Sequence, residues 1–269
     1  MQWEVSIAAA TCAQSDVNDD VIGVNGWALS GLRPAVYTSR RALNEPEAFV
    51  VADGIQRGYG GLGAHLVAKE ASRADQLTDA YAVRSLVEKL HRQLLAEDYF
   101  PRYWGITPDS FRLPGATVAG ARVNPRVTDG GLLLFNVGDA AIFYSADGQR
   151  VSQQSITDRT DSGMLTQAIG GGPPGEPDVH LTEFRLAERN RILLCTDGLV
   201  DAVRKSEDID RLVREAENPR RAVSFLVDAA IKNDMQDDVS ALVLHVNSVS
   251  SGPSPARKRF LQIKERKRT

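Results

Sequence analysis

Apolar residues recur along this chain in two rhythms. Dense short runs, Val5-Ser6-Ile7-Ala8-Ala9-Ala10 and Val239-Ser240-Ala241-Leu242-Val243-Leu244-His245-Val246, read as strands. Phe49-Val50-Val51-Ala52 and Ile192-Leu193-Leu194-Cys195 read as strands buried on both faces. Further strands are predicted over residues 115–123, 131–137, 140–145, 181–185 and 191–195. The second rhythm is helical: Ala64, Val67, Ala68, Ala71 and Ala74 fall three and four apart on one face. That segment ends at Leu77, and Thr78 either breaks the helix or continues it. Leu86, Val87, Leu90, Leu94 and Leu95 extend an apolar stripe as far as Asp98. Later, Ser206 is predicted to cap a short helix, and Pro219 to open another through Ala222, Phe225, Leu226, Ala229 and Ile231. Residues 22–47 are irregular and read as a hairpin or loop insertion. Helices gathered at two places, with strands on either side, predict α+β layering rather than βαβ alternation.

Two of the strand-like runs end in an acidic residue followed by glycine, Asp53-Gly54 and Asp197-Gly198. A carboxylate there leaves a packed core at a rigid place, and the glycine permits a sharp turn and an uncrowded carbonyl. Rigid oxygen donors suit a hard divalent cation. Asp-Gly is also an ordinary hairpin turn, and Asp147-Gly148, after Ala141-Ile142-Phe143-Tyr144, is read as one. Two more acidic points stand beside strand-like runs, Asn18-Asp19-Asp20 and Gln236-Asp237-Asp238. Clustering four such points without cations costs several kcal/mol in repulsion and desolvation. Their spacing alone leaves open whether they converge.

Asn18-Asp19-Asp20, Val51-Ala52-Asp53-Gly54, Asn136-Val137-Gly138-Asp139, Leu194-Cys195-Thr196-Asp197-Gly198 and Asp237-Asp238-Val239-Ser240 occur in that order. Together with Pro114-Gly115-Ala116-Thr117, this series resembles the motifs of the metal-dependent Ser/Thr protein phosphatases, the protein phosphatase 2C (PPM) family, in their bacterial form. The resemblance covers about residues 1–248. It implies a four-layer α-β-β-α sandwich with two central antiparallel sheets. It also implies Mn²⁺ or Mg²⁺, two ions with a looser third, which activate a water for in-line attack on a phosphoserine or phosphothreonine. By the same resemblance Asp53 bridges the ions and the Gly54 carbonyl completes one site, while Asp197 and Asp237 complete the other. Asp20 acts directly or through a water, and Asp139 resembles a ligand of the additional ion; a turn-capping role is the alternative for Asp139. The implied partners are phosphorylated Ser/Thr proteins, in opposition to a Ser/Thr kinase.

Three departures change that expectation. Where the family grips the substrate phosphate with Arg, this chain has Ser15. After Asp53-Gly54 the usual His-Gly-Gly or Gly-Gly is replaced by Ile55-Gln56-Arg57, so Arg57 becomes a candidate phosphate ligand and His65 a candidate acid. The connection between Asp158 and Leu165 is short where relatives carry a mobile flap, which predicts an open site. Gly170-Gly171-Gly172-Pro173-Pro174-Gly175 lacks a Gly-Lys-Ser/Thr ending and reads as a flexible connector. These losses keep a second function class in view: a pseudophosphatase of the same fold that binds metal and recognises phosphoprotein or regulates a kinase.

Composition adds bounds. A chain of 269 residues with 42% hydrophobic and 25% charged content can bury one large core, and its longest apolar run is far short of a membrane span. Without a basic leader and apolar signal core, a cytoplasmic place is expected. Cys12 and Cys195 are expected as packing thiols in a reducing interior. Ser248 to Pro255 reads as a linker, so the chain divides into a domain over 1–248 and a tail over 249–269. The tail carries seven basic residues and one acidic, a net +6, which leaves −9 for the remainder of a chain whose total is −3. Such a tail reads first as a solvated, disordered end, and secondly as a contact for an anionic partner.

Overall fold

The computed structural model describes residues 2–55, 60–96, 113–127, 131–203 and 205–249. Two antiparallel sheets stack face to face between layers of helix. The first sheet runs from edge to edge as β4 (Ala35–Leu43), β1 (Gln2–Cys12), β13 (Val239–Val249), β12 (Arg191–Cys195), β8 (Ala141–Ser145) and β9 (Ser152–Gln153). The second runs as β11 (His180–Arg185), β7 (Gly131–Val137), β6 (Gly115–Val123), β5 (Glu47–Ile55), β2 (Val21–Val24) and β3 (Trp27–Leu29), with β10 (Ile169–Gly170) also pairing β6. Five helices flank them among the described residues: α1 (Gly60–Ala71) and α2 (Ala80–Leu95) on the second sheet, and α3 (Asp197–Val203), α4 (Ser206–Arg214) and α5 (Pro219–Lys232) on the first. None of these is long and apolar enough to cross a membrane.

The dense apolar runs explain the layering. A strand sends successive side chains to opposite faces. Phe49 and Val51 of β5 therefore enter the layer between the sheets, where they meet Val5, Ile7, Leu194, Leu242 and Leu244. Ala48, Val50 and Ala52 of the same strand turn outward under α1 and α2, against Val67, Ala68, Val87 and Leu90. On the first sheet, Leu193, Cys195, Ala241 and Val243 meet Ala222, Val223, Leu226 and Ala230 of α5. The central strands are apolar on both faces because both faces of each sheet are covered there.

The structure bears out some local expectations and corrects others. Residues 22–47 hold the β2–β3 hairpin and the nine-residue edge strand β4; that strand is half-exposed and polar, so it carries no dense apolar run. Thr78 marks a true break: α1 stops at Ala71, a short 3-10 turn spans Ala74–Gln76, and Asp79 caps α2 by accepting from the Ala82 N–H. Leu95, Phe225 and Ile231 are exposed, whereas Val223 and Val227 fill the buried stripe of α5 instead. Ser206 is the first helical residue and Lys205 the cap position. Asn218 caps α5 by accepting from the Arg221 N–H, ahead of Pro219. Asp147 and Gly148 both have positive φ, as a two-residue hairpin turn requires. Gly170 is in β10 rather than in a loose connector. Arg57 and the tail beyond 249 lie outside the described residues.

Phe49 is among the largest fully buried side chains of the layer between the sheets. Phe49→Ala is expected to lower unfolding free energy by about 3–5 kcal/mol through lost transfer and a residual cavity. Urea midpoints with an unchanged m-value check it.

Candidate metal centre

The carboxylates gather at one end of the sandwich, and strand parity decides which way they face. Phe49 and Val51 point between the sheets, so Asp53, two further along β5, points there too, opposite Thr117 of β6. Contrary to the expectation that the strand ends at Asp53, β5 continues to Ile55. Gly54 is required for another reason: a Cβ there would lie 2.2 Å from the Gly60 carbonyl carbon, so α1 starts directly against the strand. Its carbonyl, expected to be uncrowded, faces the Gly60 backbone. From the other sheet, Thr196 follows β12 and Asp197 opens α3 instead of turning a hairpin. Gly198 lets this corner close, since a Cβ there would stand 2.0 Å from the Asp238 carbonyl oxygen. Asp139 follows Gly138, whose φ of +88° turns the chain between β7 and β8.

Carboxylate oxygens of Asp53, Asp139 and Asp197 all lie within 4.8 Å of one another. Three anionic oxygen donors at that separation fit a hard divalent cation. The buried Oδ1 of Asp139 has no hydrogen-bond partner, nor has the buried Thr117 hydroxyl across from Asp53. Asp139 is thus a member of the cluster and not merely a turn cap. Asp20 is buried beside this set, its Oδ2 accepting a 2.8 Å bond from the Thr196 hydroxyl. Asp237 is exposed at the rim, close enough to act electrostatically on Asp53 and Asp197. Neither Asp20 nor Asp237 belongs to the tight group of three.

Asp19 and Asp238, the neighbours of those two, tie the loops together. Asp238 accepts from the Gln14 and Asp19 N–H groups, each at 2.8 Å, and Asp19 Oδ1 accepts from the Gly61 N–H at 2.8 Å. The end of β1, the start of β13 and the start of α1 are thereby joined at the site.

Electrostatics follow from the crowding. Burial pushes the Asp53 carboxyl well above its ordinary range, and Asp20, Asp197, Asp139 and Asp237 push it further. Asp20 is likewise raised, first by burial and against the Thr196 hydrogen bond. Asp197 is pushed up to about 7 by burial and by Asp139, with Arg159 opposing. His65, on α1, is lowered by burial and by Lys69, so it is a poor proton donor near neutral pH. Cys195 is fully buried and its thiol is raised by burial, which leaves it a packing residue; Cys12 is buried as well.

The sequence reasoning missed Arg159. Its Nε donates to Asp139 Oδ2 at 2.5 Å, one terminal nitrogen donates to Asp197, and the other donates to Asp201 at 3.1 Å. Asp201 was missed as well, although its place four residues after Asp197 on the same helix face is a readable signal. Arg159 was not legible, because it lies in the short connector after Asp158, which carries no pattern.

Solved structures of the same fold stand beside this geometry. The catalytic domain of the serine/threonine protein phosphatase PstP in complex with two manganese ions is similar at a TM-score of 0.63 and 19% identity, over 91% of this chain and 100% of that one. The PPM Ser/Thr phosphatase MsPP from Mycobacterium smegmatis, in complex with cacodylate, matches at 0.63 and 21%, over 89% and 97%. PppA of Pseudomonas aeruginosa, described as a key regulatory component of T6SS, matches at 0.64 and 17%, over 90% and 97%. No curated protein matches the sequence. A family profile, that of Stage II sporulation protein E (SpoIIE), matches residues 48–247.

Raised carboxyl pKa values make the folded chain hold more protons than the unfolded one between about pH 4 and about pH 7, so this contribution to stability falls as pH rises through that window. His245, pushed down to about 4 by burial and Arg191, works oppositely, its contribution being lost as pH falls. The carboxylate part is therefore read as a difference: in chelator, Asp197→Asn should raise Tm at about pH 8 by a few degrees and much less at about pH 5.

Proposed function

We propose that this chain, which belongs to the Stage II sporulation protein E (SpoIIE) family and is built on the protein phosphatase 2C fold, hydrolyses phosphoserine and phosphothreonine in proteins with divalent cations held by its aspartates. The observation that carries the reading is the approach of three carboxylates, drawn from β5, the β7–β8 turn and the start of α3, to within 4.8 Å. Asp53 and the Gly54 carbonyl would hold one ion, Asp197 and Asp237 a second, with Asp20 acting directly or through water, and Asp139 would hold an additional ion. Mn²⁺ or Mg²⁺ bound there supplies positive charge to the phosphoryl oxygens and acidifies the attacking water.

The chain's own residues do the rest. Thr196 orients the Asp20 carboxylate by donating to its Oδ2 at 2.8 Å. The Asp19–Asp238–Gly61 bonds hold the loops that carry Asp20 and Asp237 in register. The connector between Asp158 and Leu165 leaves the mouth open to a protein substrate rather than closing on a small one. In this reading residues 1–248 form the catalytic domain and the basic tail, 249–269, meets an anionic partner or remains solvated. The setting is cytoplasmic and the counterpart activity is a Ser/Thr kinase.

Hydrolysis of p-nitrophenyl phosphate and of a phosphothreonine peptide should require Mn²⁺ or Mg²⁺ and stop with chelator. Asp197→Asn should lower kcat/KM by about 100-fold or more while the chain stays folded, the scale on which one charge-organising group acts. Turnover insensitive to chelator would sink the metal mechanism. Metal binding without turnover would support the pseudophosphatase reading, which Ser15 and Ile55-Gln56-Arg57 favour.

A further inference from the structure

Arg159 stands where the proposed chemistry lacks a cation. The family's phosphate-gripping position is Ser15 in this chain, and its hydroxyl is engaged with the Val17 carbonyl at 3.3 Å. A phosphoryl dianion needs a paired donor with charge, which a guanidinium provides as a planar fork. The Arg159 side chain is only 23% exposed, and its three nitrogens reach Asp139, Asp197 and Asp201.

Its backbone cannot drift away. Asp158 exchanges bonds with the β7–β8 turn: its N–H donates to the Gly138 carbonyl at 3.1 Å, and its Oδ2 accepts from the Gly138 N–H at 2.8 Å. The same carboxylate meets Gln167 Nε2 at 3.2 Å and His180 Nε2 at 2.9 Å. Arg159 itself bridges to Leu165 across the connector. The guanidinium is thus tethered to the turn that also carries Asp139.

Divalent cations held by the group of three would compete with this guanidinium for the carboxylates of Asp139 and Asp197. Asp201 is different: its side chain is 63% exposed and lies outside the group of three carboxylates. Arg159 released from the inner pair therefore keeps a partner at the rim, with two of its nitrogens freed beside the site.

We propose that Arg159 is the phosphate-binding residue of this centre: its guanidinium leaves Asp139 and Asp197 when those carboxylates take up cations, and from the rim, tethered by Asp201, it donates to the oxygens of the substrate's phosphoryl group. This rests on the phosphatase reading. It makes metal affinity and phosphate affinity depend on one side chain with opposite signs.

The test uses the full chain and the variants Arg159→Gln and Arg159→Lys, read by calorimetry and steady-state kinetics. Arg159→Gln should bind Mn²⁺ about fivefold or more tightly without substrate, because a competing cation is gone. With Mn²⁺ saturating, its KM for a phosphothreonine peptide should rise about tenfold or more, inhibition by inorganic phosphate should weaken by a similar factor, and kcat should change less. Arg159→Lys, which keeps the charge and loses the fork, should fall between. A merely structural arginine would weaken metal and phosphate binding together, or neither, and either result overturns the proposal. Inorganic phosphate binding to the Mn²⁺-loaded chain reads Arg159 even where no turnover occurs, so a failure of the phosphatase reading is seen separately.

Discussion

Everything at the functional end of this molecule is arranged around carboxylates packed closer than they tolerate alone. Asp53, Asp139 and Asp197 place oxygens within 4.8 Å of one another, with Asp20 buried behind them. Each negative charge raises the cost of the next, and burial removes the water that would screen them. Such a centre persists only if protons, a cationic side chain or metal ions supply the opposite charge. Arg159 supplies part of it, while burial first and the neighbouring carboxylates second still push Asp53 and Asp197 upward.

The sandwich sustains that repulsion because little of it can relax by moving backbone. Asp53 is inside β5, paired with Thr117 of β6 and followed by Gly54, whose N–H donates to the Asp19 carbonyl, and its face is set by the same alternation that buries Phe49 and Val51. Asp197 is set by the junction of β12 with α3, where Gly198 packs on the Asp238 carbonyl. The layer between the sheets packs Leu194 and Leu242 of one sheet against Val51 and Ala119 of the other beneath these two corners. Stability of the fold is therefore the source of the site's electrostatic strain: core burial far from the carboxylates offsets the cost of bringing them together.

The departures from the family pattern acquire a common sense in three dimensions. The short connector after Asp158 brings Arg159 within reach of Asp139 and Asp197. Ser15 and Arg159 are separated in sequence by more than half the chain, and in the proposed reading the second supplies the charge that the first lacks. His65 does not replace the missing acid convincingly, because burial and Lys69 favour its neutral form.

Much of the architecture was written in local patterns. The strands over 115–123, 131–137 and 191–195, the helix opened by Pro219 and the turn at Asp147-Gly148 were legible because each depends on backbone geometry over a few residues. The half-exposed strand β4 was not, since its partner β1 decides its conformation more than its own residues do. The acidic points at Asp20, Asp53, Asp197 and Asp237 were legible as candidates from their places beside apolar runs, and Asp139 through the family resemblance. Which of them meet, that Asp139 belongs with Asp53 and Asp197 while Asp237 stays at the rim, and that Arg159 lies among them, was decided by pairings between strands far apart in the chain. Sequence carries the period of each element and the chemistry of each side chain; distances between elements are set by how buried faces pack, a property of the whole chain.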